Sequence, residues 1–265
     1  MNQVWLYTMS WNEERMLPFF FRHYDCWVDR YIVYDDGSTD RTLAMLAEHP
    51  KVDVRRFERT MPDSFVISAT LLQNEMWKAA RGHAAWAVIT AIDEHLYHPD
   101  MPGYLAACRR GGISAIPALG FQMLADGFPT GVQRLAETHR IGAPYDEMNK
   151  LSIVDPNLID ETHFTLGRHS AQPAGGVAYP ESDKVVNLHY KYMGRDYLRA
   201  RHAMLLGGLG KIDKAAGLGS HYAQPDEALD TEWRGFAARA MDYRDASVGF
   251  ATHVDRWWRA PRQRA

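Results

Sequence analysis

The first hundred residues alternate short β-rich runs with helical patterns, and this alternation restricts the fold more than any other feature. Residues 4–9 ("VWLYTM") read as a strand. A helix follows over 18–28, with Pro18 in its first turn and Phe20, Phe21, Tyr24, Trp27 and Val28 on one side. Residues 30–34 form a second strand, and Asp36-Gly37-Ser38-Thr39 a turn and helix start. A helix over 41–49 leads to a strand over 52–57. A longer helix covers 64–82, with Leu71, Leu72, Met76 and Ala80 as core positions. Then comes "WAVITAI" (86–92), an unbroken apolar run of the kind found in central parallel strands. The pattern predicts an α/β protein with an open, mostly parallel sheet flanked by helices. Ligands bind such sheets beyond the carboxyl ends of the strands. Two acidic pairs, Asp35–Asp36 and Asp93–Glu94, fall at such ends.

From 111 to 192 the pattern loosens into short strands and Gly- and Pro-rich loops. Residues 184–192 are a late strand with Val186, Leu188 and Tyr190 on one face and Asn187, His189 and Lys191 on the other. Residues 195–206 are helical, 207–221 a Gly-rich linker, and 226–259 a helical tail. With 265 residues, 46% of them hydrophobic, the chain can bury one large domain, alone or with an appendage. The expected division is 1–206, with halves at about 1–100 and 101–206, followed by a linker and helical C-terminal extension over 207–265.

Thirty basic against 33 acidic residues leave no global bias toward nucleic acid or anionic lipid, and no nucleic-acid partner is expected. Cys26 and Cys108 are too few and too far apart for a disulfide framework, which favours a reducing compartment. The start "MNQVWLYTMSWNEE" lacks a signal-peptide pattern, and no apolar stretch approaches the roughly 18 residues of a membrane span. A cytoplasmic protein is the expectation, with possible oligomers left open. Trp257–Trp258, among Arg256, Arg259, Arg262 and Arg264, reads as a helix docked on the domain, a dimer interface, or a peripheral contact with the inner face of a membrane.

Neither G-x-G-x-x-G after the first strand nor G-x-x-x-x-G-K-[ST] is present, so the dinucleotide and P-loop phosphate cradles are absent, and so is the G-x-S-x-G nucleophile. The first two strands end instead in "SWNEE" and "YDDGSTD". Carboxylates there can accept from a pyrimidine imide or from ribose hydroxyls. Asp35 and Asp36 can equally close an Asx turn and cap a helix. In "IDEHLYHPD", Asp93, Glu94, His95, His98 and Asp100 crowd within eight positions, which fits a metal site or a solvated polar loop.

Three blocks carry a family resemblance. "WNEERMLPFFFRHYDCWVDRYIVYDDGSTDRT" resembles the opening of GT-A glycosyltransferases of the family 2-like branch, where N-E, L-P, an aromatic helix and a strand closing on D-D/N-x-S-x-D follow one another. "LQNEMWKAARGHAAWAVITAIDEHLY" is similar to the Gln-containing helix and Trp-led strand before a D-x-D-E-F block, as in the related family 2/family 92 branch. "VVNLHYKYMGRDYLRAR" is similar to the H-Y-K-Y segment and helix that close the catalytic domain. The resemblance implies a GT-A fold and an inverting, metal-dependent transfer of sugar from a nucleoside-diphosphate donor, UDP-linked, to a glycan, lipid-linked or other hydroxyl acceptor.

It implies a nucleotide pocket from Trp11, Asn12, Glu14, Asp35 and Asp36, with Lys191 at a phosphate. It implies Asp93 and His189 as ligands of Mn²⁺ or Mg²⁺, a Lewis acid for the leaving diphosphate. The first Asp of D-x-D is Ala91 here and the final Phe is His95. Ala91 leaves room for a catalytically inactive, nucleotide-sugar-binding relative. A hydrolytic metal centre in the Asp93–His98 cluster is a further alternative.

A general base is needed for the acceptor hydroxyl. Asp126 is the first candidate, Asp155 and Asp160 the next, all in the loosely patterned middle. Lys150 either contacts phosphate or is solvated. His163 and His169 either approach the acceptor or are structural.

Overall fold

The computed structural model describes residues 2–245 and 252–259. The strands are β1 (Val4–Ser10), β2 (Arg30–Asp35), β3 (Val52–Arg56), β4 (Trp86–Ile89), β5 (Glu94–Tyr97), β6 (Ala115–Ala125), β7 (Ile141–Pro144), β8 (Lys150–Val154), β9 (Ile159–Glu161), β10 (Ala174–Gly175), β11 (Val186–Met193) and β12 (Met241–Asp242). The helices are α1 (Leu17–Tyr24), α2 (Thr42–Glu48), α3 (Phe65–Glu75), α4 (Met101–Arg110), α5 (Leu135–Thr138), α6 (Arg195–Gly208), α7 (Lys211–Ala215) and α8 (Asp226–Ala237).

The main sheet runs β12-β7-β6-β8-β4-β1-β2-β3, and β11 pairs with both β5 and β6. The stretch β4-β1-β2-β3 is parallel throughout, as the N-terminal alternation predicts. Beyond β4 the sheet is extended by β8, antiparallel to both β4 and β6, while β11 lies parallel to β6. The chain is therefore α/β, with a parallel core flanked by helices. Successive residues face opposite layers: Leu6, Tyr31 and Val33 join the cluster with the α1 aromatics, whereas Tyr7 and Ile32 join the one around Trp77.

Helix ends follow local chemistry. Ser64 caps α3 by accepting from the Ile67 amide, and Asp100 caps α4 by accepting from the Gly103 amide. The helix expected over 64–82 divides into α3 and a tight turn over Met76–Ala80; Met76 and Ala80 are buried, but Leu71 is exposed. Half of the polar run after β4 is a strand, β5. Its alternation of Glu94, His95, Leu96 and Tyr97 escaped the sequence reading because all but Tyr97 are buried, leaving no period-2 polarity.

No break in the fold falls at 206: β12 adds to the same sheet by pairing with β7, and the Gly-rich 207–221 segment contains α7 and closes over the strand ends. The tail is not one long helix. Helix α8 ends at Ala237, and 252–259 is irregular, with a turn at 257–258. Trp257 and Trp258 are folded back on the body, with their indole N–H groups donating to the Asn149 carbonyl and to Asp183. Arg256 and Arg259 pair with the same Asp183, so this segment is docked; Arg262 and Arg264 lie outside the described residues. No helix among the described residues is long and apolar enough to cross a membrane.

Candidate functional site

The carboxyl ends of β1, β2 and β4 lie side by side, and their acidic residues divide the work. Asp35 is consumed by its own turn. Its Oδ1 accepts from the Ser10 and Ser38 hydroxyls at 2.9 and 2.5 Å, and its Oδ2 from the Gly37 and Ser38 amides at 2.9 and 2.8 Å. Asn12, at φ 54°, accepts through Oδ1 from the Thr39 and Asp40 amides, and Glu14 accepts from the Arg41 amide. These three fasten the β1 and β2 loops together. Asp36 points instead into a cleft, held by Arg59 at 2.7 Å, whose guanidinium also donates to the Gly208 carbonyl.

That cleft has a volume of about 480 Å³, and Met9, Phe65, Val66, Ala69 and Leu209 make much of it apolar. Trp11 forms one wall and packs against Gly208, where a Cβ would come within 2.6 Å of the indole ring. Gly217, Leu218 and Tyr222 close it from the Gly-rich segment, which Asp213 anchors. Both Asp213 oxygens accept from the start of α3, at the Ser64 hydroxyl and the Phe65 amide.

Asp93 stands at the turn between β4 and β5. The antiparallel pairing of Glu94 with His189 brings β11 alongside, and the Tyr190 amide donates to the Asp93 carbonyl at 2.7 Å. The parallel pairing of His189 with Gln122 on β6 sets the imidazole. The Gln122 amide nitrogen donates to the His189 carbonyl, so its Oε1 faces His189 Nδ1 at 2.8 Å and Nδ1 must carry the proton. Nε2 then faces the Asp93 carboxylate at 3.5 Å. Two acceptors so placed converge on one point, where a hydrogen-bond donor or a cation would be favoured. Burial alone would raise the Asp93 carboxyl, but His189, Arg201 and Lys191 hold it well below the usual range.

A register shift in β11 between His189 and Tyr192 re-aims the strand here, as bulges beside sites do. Lys191 enters the same space, its ammonium 5.0 Å from the Tyr222 ring centroid. It makes no ion pair among the described residues, and burial lowers its pKa to about 8 against the pull of Asp93.

Glu94 is occupied from both sides, by Lys150 at 2.6 Å and by Arg168 at 2.7 Å, with all three buried. Lys150 is thus an internal counter-ion, not a solvated side chain. Arg168 reaches in from a loop whose Gly167 and Arg168 both have positive φ, 68° and 59°, and it also donates to the Ile89 carbonyl. The remaining members of the polar run disperse. His95 is buried against His23 and Tyr190, His98 stacks on Tyr104, and Asp100 caps α4. No group of three His, Cys, Asp or Glu side chains suited to a metal exists among the described residues, so the proposed hydrolytic centre over Asp93–His98 does not assemble.

Asp93, His189 and Lys191 line a second, polar cleft of about 530 Å³ with Gln122, Tyr145, Glu147, His169, Tyr192, His202, His221 and Glu232. It adjoins the Asp36 cleft, the two sharing Ala91, Gly167, His169, Arg201, Leu205, His221 and Tyr222. Arg201 sits at this junction, paired with buried Glu13 and donating to the Trp11 carbonyl. Burial pushes the Glu13 carboxyl up to about 7 although Arg201 opposes it.

The three candidate bases lie elsewhere. Exposed Asp126 lines a separate recess with Arg15, Phe128 and Tyr197. Asp155 follows β8, which runs antiparallel to β4 and carries it to the opposite edge of the sheet, where its Oδ1 accepts from the Asn157 amide. Asp160 is exposed on β9. His163, at φ 46°, bonds the Gln172 carbonyl, whereas His169 does line both clefts, held through Nδ1 by the Glu147 carbonyl.

Arg59, Gln122, Arg168 and Arg201 were not anticipated from sequence. Only Gln122 left a signal, being the one polar side chain in the apolar run of β6.

No family model and no curated protein matches this sequence. Among solved structures, residues 1–349 of TarS from S. aureus align with 12% identity over 58% of this chain and 47% of that one, at a TM-score of 0.34. The same fragment in complex with UDP-GlcNAc gives the same identity and score. A mycobacterial protein aligns at 18% identity over 46% of this chain and 41% of that one, with a TM-score of 0.30. The chain spans less than half the length of each of these structures.

Proposed function

We propose that this chain is a glycosyltransferase that moves a sugar from a nucleoside-diphosphate donor, UDP-linked, to a hydroxyl acceptor with inversion. The observation that carries the reading is that the two clefts adjoin along one sheet edge and share a wall. An apolar cleft with a carboxylate at Asp36 suits a nucleoside. Across Arg201, which lines both, stands a polar cleft where Lys191, Asp93 and His189 suit a diphosphate. The three sequence blocks that resemble GT-A glycosyltransferases contribute to these walls, which favours the GT-A reading of the α/β fold.

A divalent cation fits Asp93 and His189. The Gln122 bond turns the Nε2 lone pair toward the carboxylate, a common second-sphere arrangement for a metal-binding imidazole. Two protein ligands leave the other positions to water and phosphate oxygens, the habit of Mg²⁺ and Mn²⁺ with nucleotides. When bound, the ion supplies Lewis-acid stabilisation of the departing diphosphate. The chain's own residues do the rest. Asp36 and Trp11 seat the nucleoside, Lys191 and Arg201 balance phosphate charge, and Leu209, Leu218 and Tyr222 exclude water. A second reading, a nucleotide-sugar-binding protein without transfer, rests on Ala91.

A thermal-shift titration tests this. UDP near 100 times its Kd, with Mn²⁺, adds about 2.7 kcal/mol, which is roughly 5 to 10 °C for a chain of this size. Asp36→Ala should remove the whole shift, and Asp93→Ala its Mn²⁺-dependent part. The absence of any shift with UDP or GDP would sink the proposal; a shift without UDP release from any UDP-sugar favours the second reading.

A further inference from the structure

Direct displacement at the anomeric carbon needs a group to take the acceptor proton, and the carboxylates of the two clefts can be sorted by what they already hold. Asp36 holds Arg59, Glu13 holds Arg201, Glu94 holds Lys150 and Arg168, and Asp93 faces His189. Two remain, Glu147 and Glu232, both on the polar cleft beyond Asp93 and Lys191. Each faces a tyrosine hydroxyl, Tyr145 for Glu147 at 2.6 Å and Tyr192 for Glu232. Glu147 is exposed and follows the outer loop between β7 and β8. Glu232 is half-buried on α8 and close enough to Lys191 to act on its charge.

A second observation points into the same space. His202 on α6 lines the polar cleft, is 3% exposed, and among the described residues has no hydrogen-bond partner on either ring nitrogen. A buried imidazole with an unused donor and acceptor suits a ligand hydroxyl, which can give to one nitrogen and accept from the other.

We propose that this end of the polar cleft is the acceptor subsite, that it takes a hydroxyl-bearing sugar or polyol anchored by His202, and that Glu232 is the catalytic base. The proposal rests on the glycosyltransferase reading. In the step, the acceptor oxygen forms the bond to the anomeric carbon as its proton passes to a Glu232 carboxylate oxygen. The bond from that carbon to the phosphate oxygen breaks, and its electron pair leaves with the nucleoside diphosphate. The base thereby comes from the C-terminal helix and not from the middle of the chain.

The test measures UDP release from a panel of UDP-sugars with water and with glycerol as acceptors, beside the UDP-induced thermal shift. Glu232→Gln should keep the shift and lose UDP release by about 100-fold or more. Glu147→Gln should lose less than about fivefold, and Asp126→Asn should match the wild type. Release by Glu232→Gln within about threefold of wild type overturns the assignment, as does a larger loss in Glu147→Gln. So does a wild type that binds UDP and releases none. A wild type showing no UDP shift fails at the functional reading itself, and the shift separates the two failures. If Glu232→Gln is poorly folded, Glu232→Asp replaces it, with release expected to recover in part.

Discussion

The two acidic pairs at the strand ends, Asp35–Asp36 and Asp93–Glu94, look alike in sequence and are divided alike in the structure. In each, one carboxylate is spent on the fold and its neighbour faces a cleft. Asp35 accepts three hydrogen bonds from its turn and a fourth from Ser10 on β1, while Asp36 looks into the apolar cleft. Glu94 neutralises two buried cations, while Asp93 meets His189. Direction does not separate Asp93 from Glu94, since both line the polar cleft; what separates them is that Asp93 keeps its oxygens free of Lys150 and Arg168. Glu94 is then the one that holds the end of the strand in place.

The comparison breaks most forcefully at Glu94. Glu94→Gln leaves Lys150 and Arg168 buried without a counter-charge, and losing one partner of a buried pair costs about 3 to 5 kcal/mol. Urea unfolding should show this as a lower midpoint at an unchanged slope. A loss below about 1 kcal/mol would mean that water reaches these cations and that Glu94 is not the structural member of its pair.

Acid gives the next largest effect and sharpens the division by pH. Burial holds the His23 imidazole, which donates to the Leu96 carbonyl and stacks on His95, down at about 4. Its folded value lies below its unfolded one, so protonation favours the unfolded chain. Stability is full above about pH 6.5 and falls toward pH 4, by about 3 kcal/mol. For Glu94 burial alone would raise the carboxyl, but Lys150 and Arg168 outweigh it and hold it at about 2. Its contribution, present above pH 4.5, is lost as pH falls toward 2. Unfolding free energies measured from pH 8 to 3 should therefore decline in two stages, and His23→Gln should lessen the first, which His95, His202 and His221, also held down by burial, share. A single transition below pH 4 in the wild type would contradict the assignment to His23.

The same division explains how far the sequence could be read. The parallel strands, the aromatic helix and the acidic strand ends were legible because apolar periodicity and turn chemistry are local. Asp36 and Asp93 face the adjoining clefts from strand ends for the same reason, whereas His189 does so from mid-β11, beside its register shift. Which carboxylate of each pair is free was not legible, since Glu94 finds Lys150 and Arg168, 56 and 74 residues away, only in the folded sheet. The carboxylates sought in the middle of the chain lie off the two clefts, and for Asp155 the reason is direction. An antiparallel β8 carries Asp155 to the far edge, a reversal that no residue pattern announces. The cleft wall from the Gly-rich segment was hidden for a related reason. Glycines at 217 and 219, both with positive φ, read as slack in a linear sequence, whereas they bend the chain over the strand ends once Asp213 anchors it.

Asp93 should give the smallest effect on stability and the largest on binding, which makes it the closest test of the comparison with Glu94 next to it. Asp93→Asn keeps the side-chain shape, and His189 retains its bond to Gln122. Asp93 is favoured by His189, Arg201 and Lys191 but directly pairs none of the lysines or arginines, so its loss should cost less unfolding free energy than Glu94→Gln, which strands two directly paired cations. The Mn²⁺-dependent part of the UDP thermal shift should vanish in the same protein. Urea unfolding and the thermal shift measured together on the neighbouring variants distinguish the roles. Asp93→Asn should fold and fail to respond to the cation, and Glu94→Gln should be far less stable. If Asp93→Asn costs as much stability as Glu94→Gln, both carboxylates belong to one structural network, and the cleft loses its candidate metal ligand.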